Sequence, residues 1–261
     1  MAKGLSMEGS LVVHFPHFLK KDGLSYRGEE GLYYFPMLSI VSTPIGNLGD
    51  ITDRARKTLM DCTAIVCEDT RVTGKLLELL GFPKKELLSF HSYTGRQKVH
   101  QFVERLKKGE HLVLVSDAGT PGISDPGYAL VSAVRDAEIR IEVIPGPSAF
   151  LAALSVSGLP INEFVYLGFL PVKRSRHKML EGIRDECRTV VFYESPHRIE
   201  KTLRELAEVL SDQPLRMIVI CRELTKMHEE VIGGTIGDVI DDLLPSLKIK
   251  GEFCVVLGPC C

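Results

Sequence analysis

The chain contains a glycine- and proline-rich loop whose polar side chains could bind a small molecule. It lies in residues 110–127, with the sequence EHLVLVSDAGTPGISDPG. The apolar run at 111–115 predicts a buried strand, and the glycines and prolines at 119–127 prevent an ordinary helix start after it. Hydroxyl and carboxylate groups stand between them at Ser116, Asp117, Thr120, Ser124 and Asp125. We predict a binding loop above the carboxyl end of a strand, where open α/β sheets hold ligands, although a plain long connection is the alternative.

Other polar clusters occur where predicted strands end. They are STPIGNLGD at 42–50, EDTR at 68–71, PGPSA at 145–149, YESPHR at 193–198, RELTK at 222–226 and GEF at 251–253. All but GEF follow the carboxyl end of a strand. Turn chemistry alone does not account for so many polar clusters on one side of two sheets, so together they favour a ligand-binding cleft.

A regular alternation of strands and helices must position these clusters. Predicted strands at 36–42, 63–67, 111–115 and 140–144 are separated by helices, which indicates a largely parallel sheet. Beyond a small-residue helix at 148–157, predicted strands at 164–170, 189–193, 216–221 and 253–257 have fewer helices between them, which indicates a mixed sheet. We therefore predict an α/β protein with domains at 36–147 and 148–261. For residues 1–35 we predict a poorly ordered extension, with an extra hairpin or a loose arm as the alternatives.

Composition limits the function further. The chain has 261 residues, 44% hydrophobic content, 25% charged residues and a net charge of −2, so any contact with nucleic acid must come from a local basic patch. The seven cysteines form no CxxC or Cys/His cluster, which predicts no metal site and a reducing compartment. No apolar run reaches the roughly 18 residues of a membrane span. We expect a cytoplasmic protein with neither a membrane nor DNA as partner.

The common nucleotide and hydrolase signatures are missing. The sequence has no GxxxxGK[ST] phosphate loop, no GxGxxG after the first strand and no GxSxG elbow. The residues alone therefore predict a two-domain α/β protein with a small-ligand cleft.

The strings TPIGNLGDIT, AGTP followed by SDPGY, YESPHR and RELTK, in this order, resemble the tetrapyrrole methylase superfamily. Within it they are similar to the bacterial ribosomal RNA small subunit methyltransferase I family, which are ribose 2′-O-methyltransferases. The resemblance covers Leu38 to about Gly258. It implies two α/β domains with S-adenosylmethionine in the cleft between them, a homodimer, and a cytidine in the decoding region of 16S rRNA as substrate.

The matching motifs also imply which residues contact the cofactor. From the first domain and the turn after it these are Pro44, Gly119, Thr120, Ile123, Ser148 and Ala149, and from the second domain Tyr193, Leu224 and Glu252. Glycine and small residues leave backbone amides accessible, and such amides could hold the adenine and the methionine carboxylate.

The implied reaction is in-line transfer of a sulfonium methyl group to a ribose hydroxyl. The methyl group is already activated, so the protein must align the reactants and remove a proton from a weakly acidic alcohol. A base, or a cation that lowers the pKa of the alcohol, would suffice. The catalytic candidates are Glu68, Asp69, Arg71, His91 and Lys226. In EDTR and RELTK the alternative is a structural ion pair across the cleft.

A basic run at 173–178, KRSRHK, could contact RNA phosphates or could be a solvated loop. The predicted substrate contacts are Lys173, Arg174, Arg176, Lys178, His197, Arg198 and Arg222. Two other functions stay open, namely a small-molecule methyltransferase acting on a tetrapyrrole and a non-catalytic RNA-binding module. The branch-specific strings weigh against the first, and the complete set of cleft motifs weighs against the second.

Overall fold

The computed structural model describes residues 36–91, 95–123, 127–173 and 175–260, together with the backbone of 26–27 and 33–34. Those two short segments pair as the antiparallel strands β1 (Tyr26–Arg27) and β2 (Tyr33–Tyr34). The other residues of the predicted extension at 1–35 lie outside the described part of the chain. Within the described part, no helix has the length and apolar character needed to cross a membrane.

The first half of the described chain forms a five-stranded parallel sheet. Its strands are β3 (Met37–Val41), β4 (Ala64–Cys67), β5 (Glu86–Ser89), β6 (His111–Leu114) and β7 (Arg140–Ile144), in the order β5-β4-β6-β3-β7. Its helices are α1 (Asp53–Asp61), α2 (Thr70–Leu79), α3 (Arg96–Lys107) and α4 (Gly127–Asp136). The predicted parallel sheet is confirmed. The sequence did not reveal β5, a short edge strand without β-branched residues.

Helices cover both faces of this sheet, because alternate strand residues point to opposite sides. On one face, Leu38, Val66 and Leu112 pack in a cluster with residues of α3 and α4. On the other face, Ile65 and Val113 pack in a cluster with residues of α1 and α2. The loops at the carboxyl ends of the strands are thus held between two helical layers.

The second half forms a five-stranded mixed sheet, as predicted. Its strands are β8 (Phe164–Phe169), β9 (Thr189–Glu194), β10 (Met217–Arg222), β11 (Glu230–Thr235) and β12 (Phe253–Leu257), in the order β11-β10-β12-β9-β8. Its helices are α5 (Ala149–Val156), α6 (Arg176–Arg184) and α7 (Ile199–Val209), with a further helical segment at 236–246. Only β8 and β9 pair in parallel.

The structure corrects the prediction for the basic run at 173–178. The sequence left open whether the whole run contacts phosphates or is a solvated loop. In the structure, helix α6 begins within the run at Arg176, whose side chain is buried, so neither alternative holds for the whole run. The apolar positions Leu180 and Ile183 place one face of α6 in the core of the second sheet. Because the run consists mainly of charged residues, the sequence did not indicate that an amphipathic helix begins in it.

Candidate active site

Polar strand ends from both sheets lie on one side of the molecule. In the second sheet, Phe253 pairs with both Glu194 and Arg222, so the start of β12 lies beside the carboxyl ends of β9 and β10. This arrangement confirms that GEF, which precedes its strand, joins YESPHR and RELTK at the same edge. The hydroxyl of Tyr193 in β9 accepts a hydrogen bond from the amide of Phe150 at 3.1 Å, which fixes the start of α5 on the second sheet.

The loops after β3 and β6 are clamped by a backbone pair. The amide of Thr43 donates to the carbonyl of Gly119 at 2.9 Å, and the amide of Gly119 donates to the carbonyl of Thr43 at 3.1 Å. Gly119 has φ 79°, a conformation that glycine adopts at little cost. The hydroxyl of Thr120 donates to the carbonyl of Pro147 at 3.1 Å, so the turn after β7 joins the same unit. Pro44, Gly119 and Thr120 are therefore brought together.

The turn after β7 leads into α5, which packs on the second sheet. Ser148 precedes α5 as its N-cap, without a side-chain capping hydrogen bond, and Ala149 is the first helical residue. Tyr193 supports this helix start, and its ring lies 5.6 Å from that of Tyr166 and 5.5 Å from that of Phe169. Burial raises the pKa of Tyr193 above its ordinary value, so this phenol stays protonated and is not a base at neutral pH.

The loop after β10 has an unusual backbone. Glu223 (φ 51°) and Thr225 (φ 67°) both lie in the left-handed region and flank Leu224. Lys226 closes the loop, since its Nζ lies 2.8 Å from Glu223 and 2.9 Å from Glu252. Left-handed backbone at non-glycine residues costs free energy and is concentrated at functional sites.

The electrostatics of Lys226 make it a cation. Partial burial lowers the pKa of Lys226, but its hydrogen bonds to Glu223 and Glu252 outweigh burial, and the pKa lies above its ordinary value. Lys226 is therefore unsuited to accept a proton at neutral pH. Lys226 therefore pairs with Glu223 of RELTK and with Glu252 of GEF, which both belong to the second domain. The alternative of an ion pair across the cleft is corrected for RELTK.

A glycine brings the two domains into close contact. A Cβ atom added to Gly46 would lie 2.4 Å from Cγ of Lys226 and 2.9 Å from Oγ1 of Thr225. Real Cβ atoms do not approach other atoms so closely, so the loop after β3 needs glycine here. Among the described residues, Thr225 Oγ1 is also the buried side-chain oxygen that has no hydrogen-bond partner.

EDTR forms its ion pair internally. Asp69 caps α2 by accepting from the amide of Arg71 at 2.8 Å, and its two carboxylate oxygens also accept from the Arg71 side chain at 2.5–3.2 Å. These hydrogen bonds lower the pKa of Asp69 to about 2. Asp69 is consequently a weak base, and it holds the highly exposed Arg71 guanidinium in place.

An open cavity of about 730 Å³ lies between the loop after β3 and helix α2. It is lined by Pro44, Gly46, Leu48, Asp69, Arg71, Val72, Lys75, Leu76, Leu79 and Asp117. Pro44 is a predicted cofactor contact, and Asp69 and Arg71 are predicted catalytic residues. The cavity is therefore lined both by a residue predicted to bind the cofactor and by residues predicted to act in catalysis.

Three arginines predicted to bind substrate have protein partners. Arg176 donates to Glu205 at 2.7 Å and to Thr202 at 2.7 Å, and it lies 3.9 Å from the buried carboxylate of Glu194. The other two are Arg198, whose guanidinium lies 2.7 Å from Glu194, and Arg222, which is buried and donates to Glu230 at 2.7 Å. Arg176 and Arg222 are buried with these partners, so we correct them to structural residues, whereas Arg198 is half-buried and its contact with substrate stays a prediction.

The remaining predicted residues lie on the surface or outside the described chain. Glu68, His91, Ile123, Lys173, Lys178, His197 and Glu252 are exposed, and Leu224 is half-buried. Arg174 lies outside the described residues. Lys173 and Lys178 therefore stay available for phosphate contact, on either side of the inward-pointing Arg176.

The sequence did not single out Gly46 or Asp117 as site residues. Asp117 was noted only as one of several polar residues of the loop, yet it accepts a hydrogen bond from the amide of Asp69 at 3.1 Å and lines the cavity. Its position close to the carboxyl end of the predicted strand at 111–115 is the sequence feature that could have identified Asp117 as a site residue. Gly46 lies in the string TPIGNLGDIT, but the sequence did not reveal its contact with residues 224–226, which are distant along the chain.

Comparison with known proteins agrees with this architecture. The family model "Tetrapyrrole (Corrin/Porphyrin) Methylases" matches residues 37–240. The chain is 46% identical over 222 residues to ribosomal RNA small subunit methyltransferase I of Xylella fastidiosa, which covers 84% of this chain and 80% of that protein. It is 43% identical over 221 residues to the protein of the same name from Thermotoga maritima, which covers 85% of this chain and 97% of that protein.

Solved structures share the fold. The methyltransferase CobJ has a TM-score of 0.63 at 20% identity, covering 85% of this chain and 94% of its own. Uroporphyrin-III C-methyltransferase from Thermus thermophilus, complexed with S-adenosyl homocysteine, has a TM-score of 0.58 at 15% identity, covering 85% and 97%. The family match and the relatives above 40% identity decide the assignment: the chain belongs to the tetrapyrrole methylase family and, within it, to the ribosomal RNA small subunit methyltransferase I family.

Proposed function

We propose that this protein uses S-adenosylmethionine to methylate the ribose 2′-hydroxyl of a cytidine in the decoding region of 16S rRNA. The observation that carries the proposal is the contact between the loop after β3 at Gly46 and the loop after β10 at Lys226, in a chain 43–46% identical to ribosomal RNA small subunit methyltransferase I proteins. A cleft between two α/β units is a common ligand site. The specific nucleotide and the ribose position come from the sequence resemblance.

The residues present fit the cofactor. A Cβ atom added to Gly119 would meet Ile45 at 3.5 Å and the carbonyl of Pro147 at 3.7 Å, so this glycine leaves its backbone close to the turn that starts α5. On the second domain, Leu224 lies between two left-handed residues beside the unpartnered hydroxyl of Thr225. We assign cofactor binding to Pro44, Gly119, Thr120, Ile123, Ser148, Ala149, Tyr193, Leu224 and Glu252.

When bound, S-adenosylmethionine supplies a methyl group that is already activated for transfer. The protein therefore needs to orient the ribose and take up one proton. Arg71, oriented by Asp69 at the cavity, provides a positive charge that would stabilise a developing alkoxide. Lys226 is also positively charged, and it lies beside Gly46, which lines the cavity. Because Asp69 and Lys226 are both poor bases, Glu68 and His91 are the candidates for the proton acceptor.

We further propose that Lys173, Lys178 and His197 contact RNA. Lys173 and Lys178 show no carboxylate partner among the described residues, in contrast to Arg176. Their charge would attract phosphates locally, although the net charge of the chain is −2.

The domain division belongs to the same proposal. We place the boundary between 147 and 148, because β7 ends at Ile144 and α5 packs with its Ala153 and Leu154 against the second sheet. We also propose a cytoplasmic homodimer, supported by the exposed apolar side chains of Leu151, Val156 and Phe164. The molar mass of the purified protein, measured by light scattering, tests the dimer.

Labelled methyl transfer tests the proposed function. Small ribosomal subunits from a strain lacking this protein should accept tritium from labelled S-adenosylmethionine, and large subunits should not. A folded Gly119→Arg variant should lose both cofactor binding and transfer, because arginine fills space beside the backbone and disfavours the left-handed conformation. Transfer to a precorrin-type substrate in place of small subunits would contradict the proposal.

A further inference from the structure

Helix α2 presents apolar side chains to the cavity as well as to the core. Thr73 and Leu77 are buried against the first sheet. Val72, Leu76 and Leu79 follow at helical spacing and line the cavity, and the half-buried Leu76 also packs against the core cluster of the first sheet. Val72 is 42% exposed and Leu79 is 55% exposed, so this face is accessible. An exposed apolar face inside a cavity indicates a ligand that covers it.

The loop after β3 provides the opposite wall. Leu48 lines the cavity and is 38% exposed, and Pro44 lies near the cofactor clamp formed by Thr43 and Gly119. A flat ring inserted between Leu48 and the apolar face of α2 would be buried on both sides. An aromatic base has this shape, and proteins that recognise single-stranded RNA commonly bind bases that are splayed out of the stack.

Charged groups at the edge of the cavity match a nucleotide. Arg71 and Lys75 line it and provide cations for phosphate oxygens. Lys75 also pairs with Glu78 at 3.0 Å, but both side chains are more than half exposed, so the pair is weak. Arg71 is the stronger candidate because Asp69 fixes its orientation.

Asp117 supplies the specific acceptor. One carboxylate oxygen, Oδ1, accepts from the amide of Asp69, which fixes the side chain at the cavity. Within the described part of the chain, its other oxygen makes no hydrogen bond. An ionised carboxylate only accepts hydrogen bonds, and the 4-amino group of cytosine is a donor, whereas uracil presents an acceptor at the same place.

We propose that this cavity holds the target cytidine out of its stack, with the base between Leu48 and α2 and with Asp117 accepting from the 4-amino group. This inference rests on the proposed function and adds the residue that selects cytidine over uridine. Asp117 is then a specificity residue, and Arg71, which we place beside the ribose hydroxyl, also contacts the phosphate next to that ribose.

A double-substitution experiment tests the role of Asp117. Methyl transfer is measured for the wild-type enzyme and for Asp117→Asn, on small subunits carrying either cytidine or uridine at the target position. In the variant, the amide oxygen can still accept from Asp69, so the NH₂ group faces the base and donates. Asp136→Asn, at the exposed end of α4, is the matched control.

The wild-type enzyme should prefer cytidine by roughly 5- to 150-fold, the range of one good base contact. Asp117→Asn should remove this preference or reverse it towards uridine, whereas Asp136→Asn should keep it. If Asp117→Asn is too slow to assay, the same comparison is made by equilibrium binding of decoding-region RNA with either base.

Distinct outcomes separate the inference from the proposed function. No transfer by the wild-type enzyme to any small subunit would refute the function itself. Transfer that is indifferent to cytidine or uridine, or a full cytidine preference kept by Asp117→Asn, would overturn the role of Asp117 and leave the function standing. A merely structural role of Asp117 lowers turnover on both substrates without changing their ratio, and that result also overturns the inference.

Discussion

The carboxylate of Asp117 accepts a hydrogen bond from the backbone amide of Asp69 at 3.1 Å. This contact joins the loop after β6 to the start of α2, and Asp69 in turn holds the guanidinium of Arg71. A chain of hydrogen bonds thus runs from the loop that carries Gly119 to a cation at the cavity. The same hydrogen bonds therefore link the loop of a predicted cofactor contact, Gly119, to two predicted catalytic residues, Asp69 and Arg71.

The first prediction concerns the titration of Asp69. Arg71→Ala should raise the pKa of Asp69 from about 2 towards the ordinary 3.8, since the Arg71 side-chain hydrogen bonds are the main cause of the depression. Because the folded pKa lies below the unfolded one, the contribution to stability is present above about pH 4 and is lost as pH falls through about 2. Carboxyl NMR titration measures this pKa, and an unchanged value in the variant would contradict the assignment.

The second prediction concerns Arg176. Arg176→Ala should destabilise the protein by roughly 1–3 kcal/mol, because Glu205 and Thr202 lose the 2.7 Å hydrogen bonds that the buried guanidinium donates. Lys178→Ala, in the same helix but exposed, is the control and should change the free energy of unfolding by less than about 0.5 kcal/mol. Urea unfolding compares the two variants, and equal stability of both would show that Arg176 has no structural role.

A third prediction separates RNA contact from folding. Replacing Lys173 and Lys178 by alanine should flatten the plot of log affinity against log salt by roughly 0.7 for each lost phosphate contact with single-stranded RNA. Calorimetric affinity for S-adenosylmethionine should not change, because neither lysine belongs to the assigned cofactor site. Fluorescence titration with decoding-region RNA at several salt concentrations gives the slope. The same slope in wild type and variant would assign RNA binding to another surface.

The fourth prediction concerns the contact between the domains. Gly46→Val should weaken S-adenosylmethionine binding and destabilise the protein by about 1–3 kcal/mol, because the added atoms collide with Thr225 and Lys226. Gly182→Ala is the control, since an added Cβ there meets no atom within 4 Å and alanine favours the helix. Calorimetry and thermal unfolding check both variants. Wild-type behaviour of Gly46→Val would show that the two loops separate freely.

Local patterns in the sequence predicted most of the fold. Apolar runs bounded by glycine and proline located β6 and β12. The strand β5 was missed because edge strands need little hydrophobicity. Helix α6 was missed because its first residues are charged, and one of them, Arg176, is buried by partners that lie in α7 and β9.

The site was less predictable, because its contacts join distant segments. Motif resemblance gave Pro44, Gly119 and Thr120, which the structure brings together. It also suggested that Arg198 and Arg222 bind substrate, but their acceptors, Glu194 and Glu230, become visible only in three dimensions. Sequence spacing indicates which side chains reach one edge of a sheet, whereas it does not reveal which of them already have partners.

Nucleoside analysis of 16S rRNA tests the central claim most directly. Small subunits from a strain lacking this protein are incubated with S-adenosylmethionine and purified enzyme, and the digested rRNA is examined by mass spectrometry. The account predicts one new 2′-O-methylcytidine in the decoding region with the wild-type enzyme, and none with the folded Gly119→Arg variant. Methylation on a base, on another nucleotide, or equally with the variant would contradict it.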